Sequence, residues 1–276
     1  MATIGTYNTL TTLAVTPTGA FLDGAELGEI LLPLKEVPSD LNEGENIDVF
    51  VYQDSMERVL ATLIEPKVQV NQFASLRVQD TNRLGAFVDW GLDKDLLVPK
   101  KEQHKPMEVG KHYVVRVYED NLTGRLAASS KIDKFIDVWP AEYKEGQEVD
   151  LLVAAKTDLG FKAIINHLNW GLLYNNEIFK KIRIGQKMKG YIKHLREDGR
   201  IDLTLTRSGR GKVVDFKEAL LQYIAEQGGQ CNLHDKSSPE EIKDALGVSK
   251  KTFKATVGHL LKQEKIELIS NGIKIK

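Results

Sequence analysis

The 276-residue sequence predicts a mainly β chain: three small five-stranded barrels in series, followed by a C-terminal α+β domain of three helices and a hairpin. An internal repeat predicts the barrels, together with short runs of alternating hydrophobicity set between Gly, Asn and Asp. A change to helical spacing after residue 210 predicts the last domain.

The repeat fixes the order of the barrels. Gly19-Ala20-Phe21-Leu22-Asp23 is echoed by Gly85-Ala86-Phe87-Val88-Asp89, an offset of 66 residues. Leu31-Leu32-Pro33 recurs as Leu97-Val98-Pro99, and Val49-Phe50-Val51-Tyr52 as Val115-Arg116-Val117-Tyr118. A fainter third copy lies 75 residues further on, with Gly160-Phe161-Lys162, Leu172-Leu173-Tyr174 and Gly190-Tyr191-Ile192-Lys193. In each copy two marked glycines stand 25 residues apart, at 19 and 44, 85 and 110, 160 and 185.

Each copy contains several short apolar-alternating runs, such as Ala86 to Trp90 and Tyr113 to Tyr118, which read as antiparallel strands. Five strands in about 65 residues match a Greek-key barrel of the OB type, which removes most exposed sheet edges. The segments are 1–65, 66–147, 148–209 and 210–276. The second includes a connector, Ile132 to Gln147, that carries Trp139-Pro140.

After a basic joint at Arg207-Ser208-Gly209-Arg210-Gly211-Lys212, Phe216, Leu220, Leu221 and Ile224 fall on one helical face, and Gly228-Gly229 ends that helix. Ser238-Pro239-Glu240-Glu241 opens a second helix, with Ser238 as N-cap, Pro239 in the first position and Glu241 reaching back. Ser249 caps a third, buried through Phe253, Val257, Leu260 and Leu261. Ile266 to Ile269, a turn, and Ile273 to Ile275 form a hairpin. Three helices and a hairpin make a winged-helix domain.

Net charge is −1, but it is unevenly spread. Residues 1–65 hold two basic groups against eleven acidic ones, whereas 66–147 carry +1, 148–207 carry +4 and 208–276 carry +3. The first quarter repels polyanions and the second half attracts them. No apolar run is long enough to span a membrane, and no basic-then-apolar leader opens the sequence, so a cytoplasmic location is expected. Cys231 is the only cysteine, which excludes an internal disulfide and a thiolate zinc cluster and reads as a structural or incidental thiol. His167, His194, His234 and His259 lack ligand spacing, so neither metal nor cofactor is expected. No phosphate loop, nucleophile elbow or HExxH helix occurs, and the chain reads as a non-enzyme.

Gly85-Ala86-Phe87-Val88, Leu97-Val98-Pro99, Asp120 and Gly124-Arg125-Leu126 resemble the pattern of the S1-type RNA-binding domain. So do Leu172-Leu173-Tyr174 and Gly199-Arg200-Ile201-Asp202-Leu203-Thr204-Leu205 in the third copy. That pattern is an opening Gly with small and aromatic partners, then Leu-Leu-His, then an Asp shortly before Gly-Arg-Ile. Three such barrels, the first acidic and degenerate, followed by a winged helix resemble the conserved virulence factor B family of bacterial RNA-binding regulators. The resemblance implies single-stranded RNA as partner and post-transcriptional control of gene expression.

Carried over by position, the RNA face holds Thr18, Phe21, Pro33, Asp54 and Arg58 in the first copy, where the −9 charge argues instead for a scaffold or protein-contact module. In the second copy it holds Leu84, Phe87, Pro99, Asp120 and Arg125, and in the third Leu159, Lys162, Tyr174, Arg196 and Arg200, with Lys193 as a further phosphate partner. This chain departs from the pattern. The first aromatic is missing from all three copies, the histidine is replaced by Pro33, Pro99 and Tyr174, and Lys162 replaces the second aromatic, with Phe161 where a small inward residue is usual.

The third copy keeps a stacking platform, Tyr174, and adds cations, which makes it the preferred RNA barrel. Phe87 reads equally as a platform or as core filler. Trp90 and Trp170 fall in expected loops, where capping a barrel mouth competes with stacking on bases. Lys250 and Lys251 occupy the first turn of the third helix, where the macrodipole disfavours cations by roughly 0.3–1 kcal/mol unless an outside anion compensates. With Lys254 they form a basic edge suited to phosphates. Two rivals stay open: a regulator that binds duplex DNA through the winged helix, and a protein-interaction scaffold without affinity for either polymer. The sequence points to no membrane partner and to no one oligomeric state.

Overall fold

The computed structural model describes residues 2–137, 141–175, 178, 181–206 and 210–276, with side chains in the first α-helix described from residue 216 onward. The chain divides into two compact units, Met1–Val138 and Trp139–Lys276. Residues 138–140 of the expected connector, with Trp139-Pro140, and residues 207–209 of the basic joint lie outside the described residues.

The first barrel is built from β1 (Tyr7–Thr16), β2 (Gly19–Asp23), β3 (Glu29–Pro33), β4 (Asn46–Gln53) and β5 (Val59–Thr62), closed in the order β1-β2-β3-β5-β4. The second uses β6 (Phe73–Thr81), β7 (Gly85–Asp89), β8 (Leu96–Pro99), β9 (His112–Glu119) and β10 (Leu126–Ser129) in the equivalent order. Its end strands β8 and β10 lie side by side, but the parallel ladder that closes the other two barrels is missing among the described residues. In the third, β11 (Glu148–Lys156), β12 (Gly160–Ile165), β13 (Asn169–Tyr174), β14 (Lys187–Leu195) and β15 (Ile201–Thr204) close again, through Leu172 with Asp202 and Leu173 with Leu203.

The repeat has a geometrical cause. Gly19, Gly85 and Gly160 begin β2, β7 and β12, and a Cβ there would stand 2.1, 2.1 and 1.9 Å from the carbonyl oxygens of Leu32, Val98 and Leu173 on the neighbouring strand. Only glycine lets the two backbones approach so closely. Each barrel's first strand also skips one residue of register, between Thr12 and Ala14, Val78 and Asp80, and Val153 and Ala155. These bulges fall at the same offsets as the glycines and bend the long strand around the barrel.

Alternation assigns the inward rows. Ala20 and Leu22, Ala86 and Val88, and Ala163 and Ile165 are buried in their barrels, while Phe21, Phe87 and Lys162 lie on the outer face and are half-buried. Phe161 faces inward and packs on the third core, as expected from sequence.

Within the first unit the two barrels share apolar packing. Phe50 and Tyr52 stand on the outer face of β4 and join the core of the second barrel, with Leu60 against it. Trp90 lies at this junction, 2% exposed, edge-on to Phe50 at 5.7 Å and donating its Nε1–H to the Lys94 carbonyl at 2.6 Å. Its role is to cap the core.

The C-terminal domain has α1 (Arg210–Glu226), β16 (Gln230–Cys231), α2 (Pro239–Leu246), α3 (Lys250–Lys262), β17 (Ile266–Ile269) and β18 (Gly272–Ile275), with the sheet ordered β16-β18-β17. The capping box at α2 is complete: Glu241 N–H donates to Ser238 Oγ at 3.1 Å, and Ser238 N–H to the Glu241 carboxylate at 2.7 Å. Ser249 Oγ accepts from Thr252 N–H at 3.2 Å and caps α3. Phe216, Leu220, Ile224, Ile242, Phe253 and Leu260 form the core, with Cys231 buried among them. The short strand β16 was not expected from sequence, because two residues carry no periodicity.

Candidate nucleic-acid interface

The outer faces of β2–β3, β7–β8 and β12–β13 are equivalent and differ pair by pair. In the first barrel the outward partners are Gly19 with Pro33, Phe21 with Leu31 and Asp23 with Glu29. The last is a like-charge pair directly across the ladder, an arrangement that destabilises a sheet. In the second barrel they are Gly85 with Pro99 and Phe87 with Leu97, and beyond them Asp89 lies near Asp95. Burial is the main cause that raises the Asp95 pKa, and the Asp89 charge raises it further. Lys67 relieves this rim by an ion pair to Asp89 at 2.5 Å. In the third barrel the row reads Gly160 with Tyr174, Lys162 with Leu172 and Ile164 with Trp170. The acidic pair Asp23 and Glu29 has become Ile164 and Trp170, and an ammonium, Lys162, stands where the first two barrels carry Phe21 and Phe87.

Trp170 therefore stands in a strand, not in the loop expected from sequence. The burial of β13 alternates, with Asn169, Gly171 and Leu173 inward and Trp170, Leu172 and Tyr174 half-buried on the opposite face. Lys162 Nζ lies 3.8 Å from the centre of a Trp170 ring, a cation–π contact. At the other end of the strand Arg196 Nη2 donates to the Tyr174 hydroxyl at 2.5 Å, and the guanidinium carbon is 5.8 Å from the ring centre. Arg196 Nε also donates to both Asp202 oxygens, at 3.0 and 3.1 Å. Hydrogen bonding to Asp202, and then its charge, raise the Arg196 pKa further, so the guanidinium is fixed in place and fully charged.

The turn before each barrel's last strand is the same object three times, closed by Asp54 N–H to Arg58 O at 3.0 Å, Asp120 N–H to Arg125 O at 2.8 Å and Arg196 N–H to Arg200 O at 2.9 Å. The arginine that ends each turn has a carboxylate neighbour. Arg58 pairs with Asp54 at 2.6 Å, Arg125 with Glu57 of the first barrel, and Arg200 with Asp198 at 3.6 Å. These surface pairs are weak, each worth about 0–1 kcal/mol, and a phosphate can replace the carboxylate. They nevertheless correct the simple expectation of arginines open to RNA, most clearly at Arg125. Glu57 stands where no short-range pattern marks it, since the pair joins two barrels 68 residues apart in sequence.

The predicted residues fall on several elements of the two units. Lys162 and Tyr174 share the outer face of β12–β13, Arg196 reaches Tyr174 from the turn between β14 and β15, and Lys193 is exposed on β14. Arg200 ends the same turn and is 78% exposed in its side chain. Phe87 and Arg125 belong to the first unit. Lys250 is half-buried in the first turn of α3, Lys251 and Lys254 are exposed, and among the described residues none of the three is ion-paired. No group of metal-binding side chains occurs among the described residues, and none of their helices is long and apolar enough to cross a membrane.

Known families match the first two barrels and the C-terminal domain. The S1 domain family matches residues 4–63 and 72–131, and the CvfB-like winged helix domain family matches residues 218–275. The chain is 28% identical over 265 residues to the uncharacterized protein YitL of Bacillus subtilis, covering 90% of this chain and 85% of that one. It is 25% identical over 261 residues to Conserved virulence factor B of Staphylococcus saprophyticus, covering 91% and 87%. The Staphylococcus aureus protein of that name is 25% identical over 249 residues, covering 85% and 80%. A crystal structure of a multidomain protein with nucleic acid binding domains from Streptococcus pneumoniae aligns over 99% of this chain and 98% of that one, with 23% identity and a TM-score of 0.43.

Barrels of the S1 type joined to a winged helix define a protein assembled from nucleic-acid-binding modules; the matched families are binding domains rather than enzymes. The chain thus carries two matched S1 domains followed by a CvfB-like winged helix domain, and along about nine tenths of its length it is similar to proteins named Conserved virulence factor B.

Proposed function

We propose that this protein is a cytoplasmic, non-enzymatic regulator that binds single-stranded RNA and acts on bacterial gene expression after transcription. Four modules, 1–65, 66–147, 148–209 and 210–276, divide the work. The third barrel and the winged helix make the principal contact, through Lys162, Tyr174, Lys193, Arg196 and Arg200 and through Lys250, Lys251 and Lys254. The second barrel adds Phe87 and, when Glu57 releases it, Arg125. The acidic first barrel serves as scaffold.

The observation that carries this reading is the third barrel's outer strand pair, where a tyrosine held by a charged arginine shares a face with a lysine on a tryptophan. Flat rings and cations side by side suit unpaired bases and their phosphates, and they suit a closed duplex poorly. The first turn of α3 contains no Asn, Gln or Arg for base readout, which favours backbone contact over sequence recognition.

Single-stranded RNA and duplex DNA of equal length, competed for the full chain at fixed salt, test the reading. RNA is expected to win, and preference for the duplex would defeat it. Replacing Lys250, Lys251 and Lys254 together by alanine should flatten the dependence of log affinity on log salt by about 2, three contacts at roughly 0.7 each for a single strand.

A further inference from the structure

We infer that the Trp170 indole is a second base-stacking platform of the third barrel, covered by the Lys162 ammonium until a nucleotide takes its place. This rests on the RNA-binding reading above and adds to it a site that neither the repeat pattern nor the family comparison marks.

Position is the first support. Four residues before Pro33, Pro99 and Tyr174, the three barrels carry Glu29, Asp95 and Trp170, and across the ladder from Glu29 and Trp170 stand Asp23 and Ile164. The first two barrels close this end of the strand pair with carboxylates, which repel a phosphodiester strand. The third alone presents a large ring there. Its orientation is the second support. A tryptophan that capped the barrel mouth would share the inward face of Gly171, where an added Cβ would meet Leu203 and Ile165 at 2.5 and 2.8 Å. Trp170 is on the opposite face, with Leu172 and Tyr174.

The Lys162 contact supplies the mechanism. Its Nζ sits 3.8 Å from the ring centre, about where the plane of a stacked base would lie. A cation over a half-buried ring is displaced by a base that stacks on a larger area of it, and the released ammonium finds a phosphate of the same nucleotide. One residue thus guards the ring in the free protein and neutralises the strand in the complex. Trp170 and Tyr174 are four residues apart along β13, about 13 Å, with Leu172 between them, so one strand of RNA can meet both rings.

The test uses the full chain carrying Trp139→Phe, which leaves Trp170 and the buried Trp90 as emitters, titrated with oligouridylate. The same chain carrying also Trp170→Phe supplies the background. Binding should quench the emission that Trp170 contributes. Trp170→Ala should weaken affinity roughly tenfold at unchanged salt dependence, with Trp170→Phe retaining most of it. Lys162→Ala should lower the salt slope by about 0.7. Salt-dependent binding with unaltered Trp170 emission and a Trp170→Ala affinity equal to that of the native chain would overturn the platform and leave RNA binding intact. No salt-dependent binding by the native chain would overturn both. If Trp170→Ala fails to fold by circular dichroism, the quenching measurement on the folded Trp139→Phe chain decides alone.

Discussion

The first and third barrels have the same strand order, the same bulge and the same opening glycine, yet opposite outer surfaces. Along one strand pair the first reads Phe21–Leu31 and Asp23–Glu29, and the third Lys162–Leu172 and Ile164–Trp170. The inward rows and the close backbone approach at the glycine set the fold, whereas the outward row is free to change sign. A module can therefore lose one partner chemistry and gain another without disturbing its core, and the comparison can be broken at either level.

The largest effect is expected at the level the barrels share. Gly19→Ala, Gly85→Ala and Gly160→Ala each drive a Cβ to within 2.1 Å or less of a carbonyl oxygen on a paired strand, and neither backbone can move without opening the ladder. Each should destabilise its unit by about 3 kcal/mol, read by chemical denaturation. A cost confined to one of the three would mean that the repeat is not structurally equivalent. Next comes the level at which the barrels differ. Tyr174→Ala with Arg200→Ala should lower single-stranded RNA affinity by tenfold or more while the melting profile persists, since both side chains lie outside the third core. Unchanged affinity in that folded variant would remove the third barrel from the site.

The sequence exposes one of these levels far better than the other. Close-packed glycines, inward alternation and helix caps act on neighbours in sequence or across one register, so the repeat, the winged helix and the Ser238 box were legible. Asn169 and Gly171 interrupt the apolar run and make Trp170 look like a loop residue, although Trp170, Leu172 and Tyr174 alternate as one face of β13. The fate of Arg125 was hidden for a different reason. Its partner Glu57 lies in another barrel, and only the docking of Phe50, Tyr52 and Leu60 on the second core brings the two together. The first barrel's acidity is a property of its segment, whereas the pairing of Glu57 with the second barrel's Arg125 is a property of the packed pair of barrels.

Equivalence also predicts a repair. Thr12 occupies, just before the bulge, the place of Val78 and Val153, and is 1% exposed with its hydroxyl unbonded among the described residues. A buried hydroxyl without a partner carries its desolvation cost uncompensated. Thr12→Val, which copies the other two barrels, should stabilise the first unit by about 1 kcal/mol in chemical denaturation. A loss of stability would show that the hydroxyl is satisfied in solution.

The smallest effect concerns the acidic rims of the first two barrels. Asp23 and Glu29 face each other with no ion pair to a cation among the described residues, whereas Asp89 in the second barrel is bound by Lys67 at 2.5 Å. The Lys67 hydrogen bond is the main cause that holds the Asp89 pKa below its ordinary 3.8, against a smaller opposing effect of burial. Lys67→Met would turn the second rim into a copy of the first, at a cost of about 0.5 kcal/mol at neutral pH for a pair this exposed. Because the folded pKa is depressed, the ion pair's contribution is present above the ordinary value of 3.8 and disappears as pH falls through the lower folded value. The native and Lys67→Met chains should therefore differ in denaturation midpoint at pH 7 and converge below 3.8. A difference that persisted in acid would have to come from the packing of the lysine stem against the barrel, and the contrast between the two rims would then be one of shape rather than charge.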